Sequence, residues 1–410
     1  MHPHIKTLSA LCDKPSRIIV GLMSGTSLDG LDIAVCKISG AGINTQCELL
    51  HFITIEYCDE YRSKVRQIFA KEHGSIQHLC LLNAWIGRYH AKLVKQALSS
   101  FGMSKRDVDA IASHGQTVYH CPKEQHGLAD FDNATLQIGD GDHIAVQTGI
   151  MTLSDFRQKH IAAGGQGAPL VMYGDYLLFT HEQENRIMLN IGGIANLSFL
   201  PKNAALSDIF SSDIGPGNTM MDAFVQRHYS HLEYDKNAEI ARSGSVDLAL
   251  LNALENNAFF AQDFPKTTGP EVFNLDYLSH ALSTVSKATH NSKQQSIAPQ
   301  DILRTLCEFS ANCIADAILK LSEHLHDVMV YVSGGGIHNP LLMERLENKL
   351  SESLPDASMG STELLSLNPD AKEAVLFALL ANETLCAKGD AHSEQTNMPS
   401  VSLGKISFPD

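Results

Sequence analysis

A small-residue turn held between two strand signatures near the N-terminus restricts this chain more than any other feature. Arg17-Ile18-Ile19-Val20 is β-branched and apolar, and Asp32-Ile33-Ala34-Val35-Cys36-Lys37-Ile38 alternates with period two. Between them runs Gly21-Leu22-Met23-Ser24-Gly25-Thr26-Ser27-Leu28-Asp29-Gly30-Leu31. The segment is therefore strand, turn, strand. Gly25 and Gly30 let backbone amides approach a bound oxygen, Ser24, Thr26 and Ser27 add hydroxyl donors, and Asp29 and Asp32 can hold a cation or its water shell. Gly25 to Gly30 repeats the glycine spacing of a P-loop. Leu31-Asp32 stands where that loop has lysine and Ser/Thr, however, and the chain continues as a strand instead of a helix. Two readings fit: a phosphate-handling hairpin of another kind, and an ordinary glycine-containing hairpin.

With 410 residues, 44% of them hydrophobic, there is room for two or three domains and a large core. A formal charge of −15 argues against a nucleic-acid surface and against anionic membranes, and no basic run of five exists. Nine cysteines are scattered with no CxxC pair, which reads as reduced buried thiols in a cytoplasmic protein. Met1 to Ser16 lacks an apolar core of the secretory kind and reads as a short mobile extension. No unbroken run of eighteen apolar residues occurs.

Helical patterning spans residues 60–105, followed by a strand from Val108 to Ser113 that runs into His114-Gly115-Gln116-Thr117. Strands are expected at 135–139, 186–191, 195–200 and 328–333, each ending in a polar or glycine turn, and residues 287–299 read as a polar linker between helices. Strands alternating with helices at this length indicate α/β layers. No internal repeat is visible, although two strand–glycine-turn halves suit a duplicated architecture.

Three further segments carry chemistry. In Ser212-Asp213-Ile214-Gly215-Pro216-Gly217-Asn218, a tight turn precedes a helix whose N-terminus can face an anion. Asp213 is either a base beside that helix or an aspartate holding the turn's amides. In Val328 to Pro340 a buried strand enters Gly334-Gly335-Gly336. Asn339 follows as N-cap and Pro340 as N1, an arrangement suited to close backbone approach to a flat or phosphorylated ligand. In Asn368-Pro369-Asp370-Ala371-Lys372-Glu373, a second Asn-Pro start places Glu373 in the first turns of a helix, as a functional carboxylate or a solvated one. None of the twenty histidines sits in HExxH, and GxSxG and a post-strand GxGxxG are absent.

Taken together, these segments resemble the anhydro-N-acetylmuramic acid kinase family. The resemblance rests on Gly21 to Gly30, Ser113 to Thr117, Asp155-Phe156-Arg157, Ala162 to Leu170, Asn190 to Asn196, Asp213 to Asn218 and Ser333 to Asn339. They occur in the family's order from about residue 17 to 388. The resemblance implies an α/β, two-lobed actin/hexokinase-like fold built from duplicated ribonuclease-H-type domains, with ATP in the cleft between lobes. The expected division is residues 17–145 with 368–410 as first lobe and 146–367 as second, after the 1–16 extension.

The resemblance also implies a bacterial, cytoplasmic enzyme of cell-wall recycling, expected to be a homodimer. ATP and Mg2+ are its expected cofactors, with no nucleic-acid or membrane partner. Water opens the 1,6-anhydro ring while O6 receives the γ-phosphoryl group, giving N-acetylmuramic acid 6-phosphate and ADP. By resemblance Asp213 is the base. Glu373, Arg157, His114, Gln116 and Thr117 contact the sugar. Gly25, Thr26, Ser27, Leu28, Asp29, Gly30, Leu31 and Asp32 wrap the phosphates. Gly192, Gly193, Gly334, Gly335, Gly336 and Asn339 line the remaining nucleotide site, and no protein ligand is assigned to the magnesium. The chain departs from the family pattern at Lys159 and His160, where arginine and an acidic residue are usual. His160 puts in doubt any ion pair assigned there. Two alternatives remain open: another sugar or acyl kinase of the same superfamily, and a non-catalytic actin-like ATP switch.

Overall fold

The computed structural model describes residues 1–410 except 166, 168–169, 206–207, 289–296, 324, 362–367 and 387–401. It divides into two units, Met1–Phe179 with Ala371–Asp410, and Thr180–Asp370.

In the first unit the alternating segments pair as expected. β1 (Ser16–Ser24) is antiparallel to β2 (Gly30–Ser39), and β2 to β3 (Gln46–Glu56). β4 (Ala110–Cys121) then joins β1 in parallel, and β6 (Thr152–Ser154) joins β4 in parallel. β5 (Ala134–Ile138) folds back on β4, and β12 (Lys405–Ser407) closes the edge beside β6. The order of the main path is β3-β2-β1-β4-β6-β12.

Strand alternation gives this sheet two apolar faces. Val20, Leu22, Ile33 and Val35 share a core with Ile86 and Val94 of the helix Ile76–Ser100. That helix starts at Ser75, whose hydroxyl accepts from the His78 amide at 3.2 Å. Gly21, on the opposite face, lies against Ala374 of the helix Lys372–Cys386. Residues 374–381 of that helix are all buried, as an apolar helix laid on a sheet requires.

The second unit repeats the pattern. β7 (Asn185–Ile191), β8 (Ile194–Leu200) and β9 (Phe210–Pro216) form an antiparallel meander. β10 (Val328–Ser333) is parallel to β7, and β11 (Ser358–Ser361) is parallel to β10. The order β9-β8-β7-β10-β11 matches β3-β2-β1-β4-β6 of the first unit, strand for strand and direction for direction. This is the ribonuclease-H-type arrangement, present twice, as the actin/hexokinase-like class requires. Ile187, Leu189, Val330 and Val332 pack with Leu306, Phe309 and Ile314 of the long helix Pro299–Ser322.

Three expectations change, and a fourth falls mostly outside the described residues. Residues 146–179 lie in the first unit, because β6 pairs with β4 of that sheet; the division falls after Phe179 and not after residue 145. Residues 1–16 are not a loose extension. Pro3–Cys12 is helical, Leu11 is buried, and Arg17, itself 2% exposed, donates from Nε to the Leu11 carbonyl at 2.9 Å. The strand expected at 108–113 continues to Cys121, so His114 to Thr117 stand on β4 itself. Most of the polar linker, 289–296, lies outside the described residues, between the helices Leu275–Ala288 and Pro299–Ser322.

Candidate active site

The β1–β2 turn, Gly25–Asp29, exposes Thr26, Ser27 and Asp29, while Leu28 and Leu31 turn into the core. Leu28 adopts φ 60°, the left-handed region. Arg62 stabilises that backbone: its Nε donates to the Leu28 carbonyl at 3.0 Å and its Nη2 to the Asp29 carbonyl at 3.4 Å. The Tyr57 amide also donates to the Asp29 carbonyl, at 2.9 Å. Gly30 is required by packing, since a Cβ there meets the Ile55 carbonyl oxygen of β3 at 2.8 Å. Asp29 Oδ1 accepts from the Gly30 amide at 2.9 Å, and Asp32 Oδ1 from the Thr54 hydroxyl at 2.6 Å. No group of three or more potential metal ligands occurs among the described residues.

The same unit assembles a charged cluster. Arg157 Nε donates to His114 Nε2 at 3.0 Å, and its Nη1 to the Gly167 carbonyl at 2.7 Å. Burial, reinforced by the Arg157 charge, holds His114 down to about 3, so it is a neutral acceptor. His114 and Gln116 are both buried, and His114 packs on Phe377 with ring centres 4.8 Å apart. They support their neighbours from below, whereas Thr117, half-buried, takes a hydrogen bond from Gln137 at 3.1 Å. Glu373 follows Lys372, which pairs with buried Asp175 at 2.9 Å. Glu373 retains solvent access yet is crowded by protein. That crowding raises its carboxyl, with Lys372 and Arg157 opposing and Asp29 adding to the rise.

At the expected acid position, His160 is buried and accepts the Gly167 amide on Nδ1 at 2.8 Å. Burial, then Arg157, lowers its pKa and keeps it an acceptor. A carboxylate accepts such a bond equally well, which explains how a histidine stands here.

In the second unit Asp213 lies on β9, half-buried. Its amide donates to the Lys266 carbonyl at 3.0 Å, and its Oδ2 accepts from the Thr268 amide at 3.0 Å. Among the described residues no hydrogen bond reaches Oδ1. Burial raises its carboxyl, the Thr268 amide opposes, and Glu271 adds to the rise. The amides leading into the helix that follows, Thr219–His228, are taken up by the chain itself. The Asn218 amide donates to the Gly192 carbonyl at 2.9 Å, and those of Gly217 and Thr219 to the Gly193 carbonyl at 2.9 and 3.1 Å. Asn218 makes no side-chain cap and instead lines a cavity of about 340 Å3 with Asp222, Tyr234, Gly335, His338 and Asn339.

The three glycines divide their work. A Cβ on Gly334 meets Asn190 Oδ1 at 2.5 Å, and one on Gly336 meets Ile191 Cγ2 at 2.2 Å, so both serve close packing on β7. Gly335 alone is uncrowded, a Cβ there meeting only Asn218 Nδ2 at an ordinary 3.9 Å, at the cavity. Asn339 caps the helix Pro340–Ser353 as expected, accepting from the Leu341 and Leu342 amides at 3.2 and 3.0 Å. Asp222, which burial holds up to about 6, has no local sequence signature and was not anticipated. Neither were Arg62, Thr268 and Glu271. A cavity of about 410 Å3 in the first unit, lined by Ile68, Leu79, Val118 and Leu136, contains none of the candidate residues.

Comparison with known proteins gives a consistent picture. The family model described as anhydro-N-acetylmuramic acid kinase matches residues 17–409. The chain is 56% identical over 411 residues to the protein of that name from Pseudoalteromonas atlantica, covering all of both chains. It is 52% identical over 413 residues to that of Pseudoalteromonas translucida, again over all of both. It is 37% identical over 393 residues to that of Bacillus cereus, covering 95% of this chain and 99% of the relative.

Proposed function

The chain belongs to the anhydro-N-acetylmuramic acid kinase family, and from that premise we propose how its residues divide the work. It is a phosphotransferase of cell-wall recycling that opens the 1,6-anhydro ring of anhydro-N-acetylmuramic acid and phosphorylates O6 at the expense of ATP. Water attacks C1 and the C1–O6 bond breaks. The departing O6 takes the γ-phosphoryl group, ADP leaves, and the water's second proton goes to a base.

Asp213 is that base. The observation that carries the assignment is its arrangement: one carboxylate oxygen held by the Thr268 amide, and a raised affinity for protons imposed by burial. An inverting glycosidase adds an acid to protonate the leaving oxygen. Here phosphorus captures that oxygen, so one base and a phosphate clamp suffice. Glu373 and Arg157 hold the sugar's polar groups. The Arg157 fork is aligned by neutral His114, an acceptor that adds no negative charge of its own beside the guanidinium, which suits a carboxylate of the substrate. Thr26, Ser27 and the turn amides clamp phosphates. Gly335, Asn339 and the cavity beside them take the nucleoside.

Magnesium, when bound with ATP, neutralises phosphate charge. The exposed Asp29 suits its hydration shell. We assign the enzyme to the cytoplasm as a homodimer. Among the described residues no helix is long and apolar enough to cross a membrane.

The test is product analysis with ATP and anhydro-N-acetylmuramic acid in 18O-labelled water. The expected product is the 6-phosphate with label on C1 and none in the phosphate, one ADP per sugar. ATP turnover indifferent to the anhydrosugar overturns the reading.

A further inference from the structure

Beneath the exposed Gly25–Asp29 turn lies a set of polar side chains with almost no solvent contact. Ser24, Tyr57, Tyr61, His90 and Gln116 are 1, 2, 0, 0 and 0% exposed. Ser24 ends β1 and pairs in register with Gln116 of β4, across an irregularity in the parallel ladder. Tyr57 follows β3, Tyr61 stacks on it with ring centres 3.7 Å apart, and His90 comes from the helix Ile76–Ser100.

Their hydrogen bonds run one way. Tyr57 Oη donates to Ser24 Oγ at 2.7 Å, and Ser24 Oγ donates to Gln116 Oε1 at 2.6 Å. Tyr61 Oη supplies the second donor to that Oε1, at 3.1 Å. With Tyr57 donating to Ser24, the 3.0 Å contact between Tyr57 Oη and His90 Nε2 requires the histidine to donate. Gln116 Nε2 then spends its two hydrogens on the carbonyls of Gly25, at 3.1 Å, and Thr117, at 3.2 Å. Both acceptor sites and both donor sites of the Gln116 amide are filled, so its orientation is fixed. The end point of the chain is the first carbonyl of the turn.

Stability alone does not call for such an arrangement, because five buried polar groups can be replaced by apolar ones of similar volume at little cost. His90 Nδ1 is buried without a partner, yet from Tyr57 to Gln116 the chain does something an apolar core does not: it selects one orientation for one backbone carbonyl. We propose that the His90–Tyr57–Ser24–Gln116 chain sets the conformation of the Gly25–Asp29 turn, which makes Tyr57, His90 and Gln116 positioning residues for phosphate binding. Gln116 thereby moves from the sugar contacts to the support of the clamp. The proposal rests on the reading that this turn holds the phosphates of ATP.

Tyr57→Phe removes one oxygen and no volume, and Ser24→Ala interrupts the chain at its next link. In the nucleotide-free enzyme both are expected to speed amide hydrogen exchange at residues 25–29 at least tenfold, with exchange in the helix Ile76–Ser100 unchanged. Both should raise the KM for ATP about five- to tenfold and leave the KM for the anhydrosugar alone. Tyr61→Phe, which leaves Ser24 on Gln116, should do less. Wild-type exchange at 25–29 and wild-type KM for ATP in folded Tyr57→Phe and Ser24→Ala overturn the proposal. The phosphate reading fails separately. If the surface double variant Thr26→Val with Ser27→Ala binds ATP normally while Tyr57→Phe still loosens the turn, the clamp role is overturned.

Discussion

Gly21→Ala gives a single-methyl test of how the sheet positions Glu373. Gly21 sits mid-strand in β1, facing the helix Lys372–Cys386. A Cβ at this position lies 1.9 Å from the Ala374 carbonyl oxygen, 2.9 Å from its carbonyl carbon and 3.1 Å from the Ala378 amide nitrogen. All three obstacles are backbone, so no side chain can swing away. Restoring a non-bonded distance near 3 Å requires strand and helix to part by about 1 Å. Overpacking of this kind costs about 1–3 kcal/mol, and backbone obstacles put this case at the upper end. For a unit of this size that corresponds to a fall of roughly 6–12 °C in its thermal midpoint. Glu373 directly precedes Ala374 and travels with it. A displacement of about 1 Å in a substrate-positioning group costs on the order of a hundredfold in rate. Calorimetry and kcat/KM for anhydro-N-acetylmuramic acid measure the two effects. Gly74→Ala is the control, because its Cβ meets only Ile68 Cγ2, at an ordinary 3.5 Å. A Gly21→Ala enzyme with wild-type midpoint and wild-type kcat/KM refutes the argument.

Other outcomes follow from the charged groups. Asp213→Asn should fold and bind ATP while losing about 10²–10⁴ in kcat; near-normal turnover moves the base elsewhere. As the proposed base Asp213 must be ionised, so the rate should fall on the acid side through a pKa above the ordinary aspartate value. Glu271→Gln, by removing a nearby negative charge, should shift that limb to lower pH. Asp222 binds its proton more tightly folded, at about 6, than unfolded, at 3.8. Its favourable contribution is therefore fully present below 3.8 and lost as pH rises through about 6. Asp222→Asn should accordingly raise the melting temperature of the nucleotide-free enzyme at pH 7.5, with a gain that shrinks toward pH 5. His160→Leu strands the Gly167 amide and should cost about 1–3 kcal/mol in denaturant titrations, whereas His160→Glu, which keeps an acceptor, should cost less.

Much of the fold was legible because strand and turn signals are local. The period-two run at 32–38, the paired strands at 186–191 and 195–200, and the Asn339-Pro340 start all appear where expected. The glycines carry a second reason that the sequence did not show. At Gly30, Gly334 and Gly336 a neighbouring strand leaves no room for a side chain. A glycine in sequence says only that a Cβ is not tolerated or not needed; what stands 2–3 Å away decides why. The same holds for the amides at Gly217 to Thr219, whose acceptors are carbonyls of a turn some 25 residues earlier.

Periodicity and turn chemistry act over a few residues, so they were enough to suggest two strand–glycine-turn halves, and the ordered set of motifs was enough to point to the family. Partnership is another matter, because it joins residues far apart in the chain. That residues 146–179 belong with the first sheet depends on β6 finding β4. That His114 is a buried acceptor for Arg157 depends on contacts spanning 43 residues. That Gln116 donates to the Gly25 carbonyl depends on contacts spanning 91. Burial and hydrogen-bond satisfaction are properties of the packed chain, and only there does a polar residue in a motif become a ligand contact or the support for one.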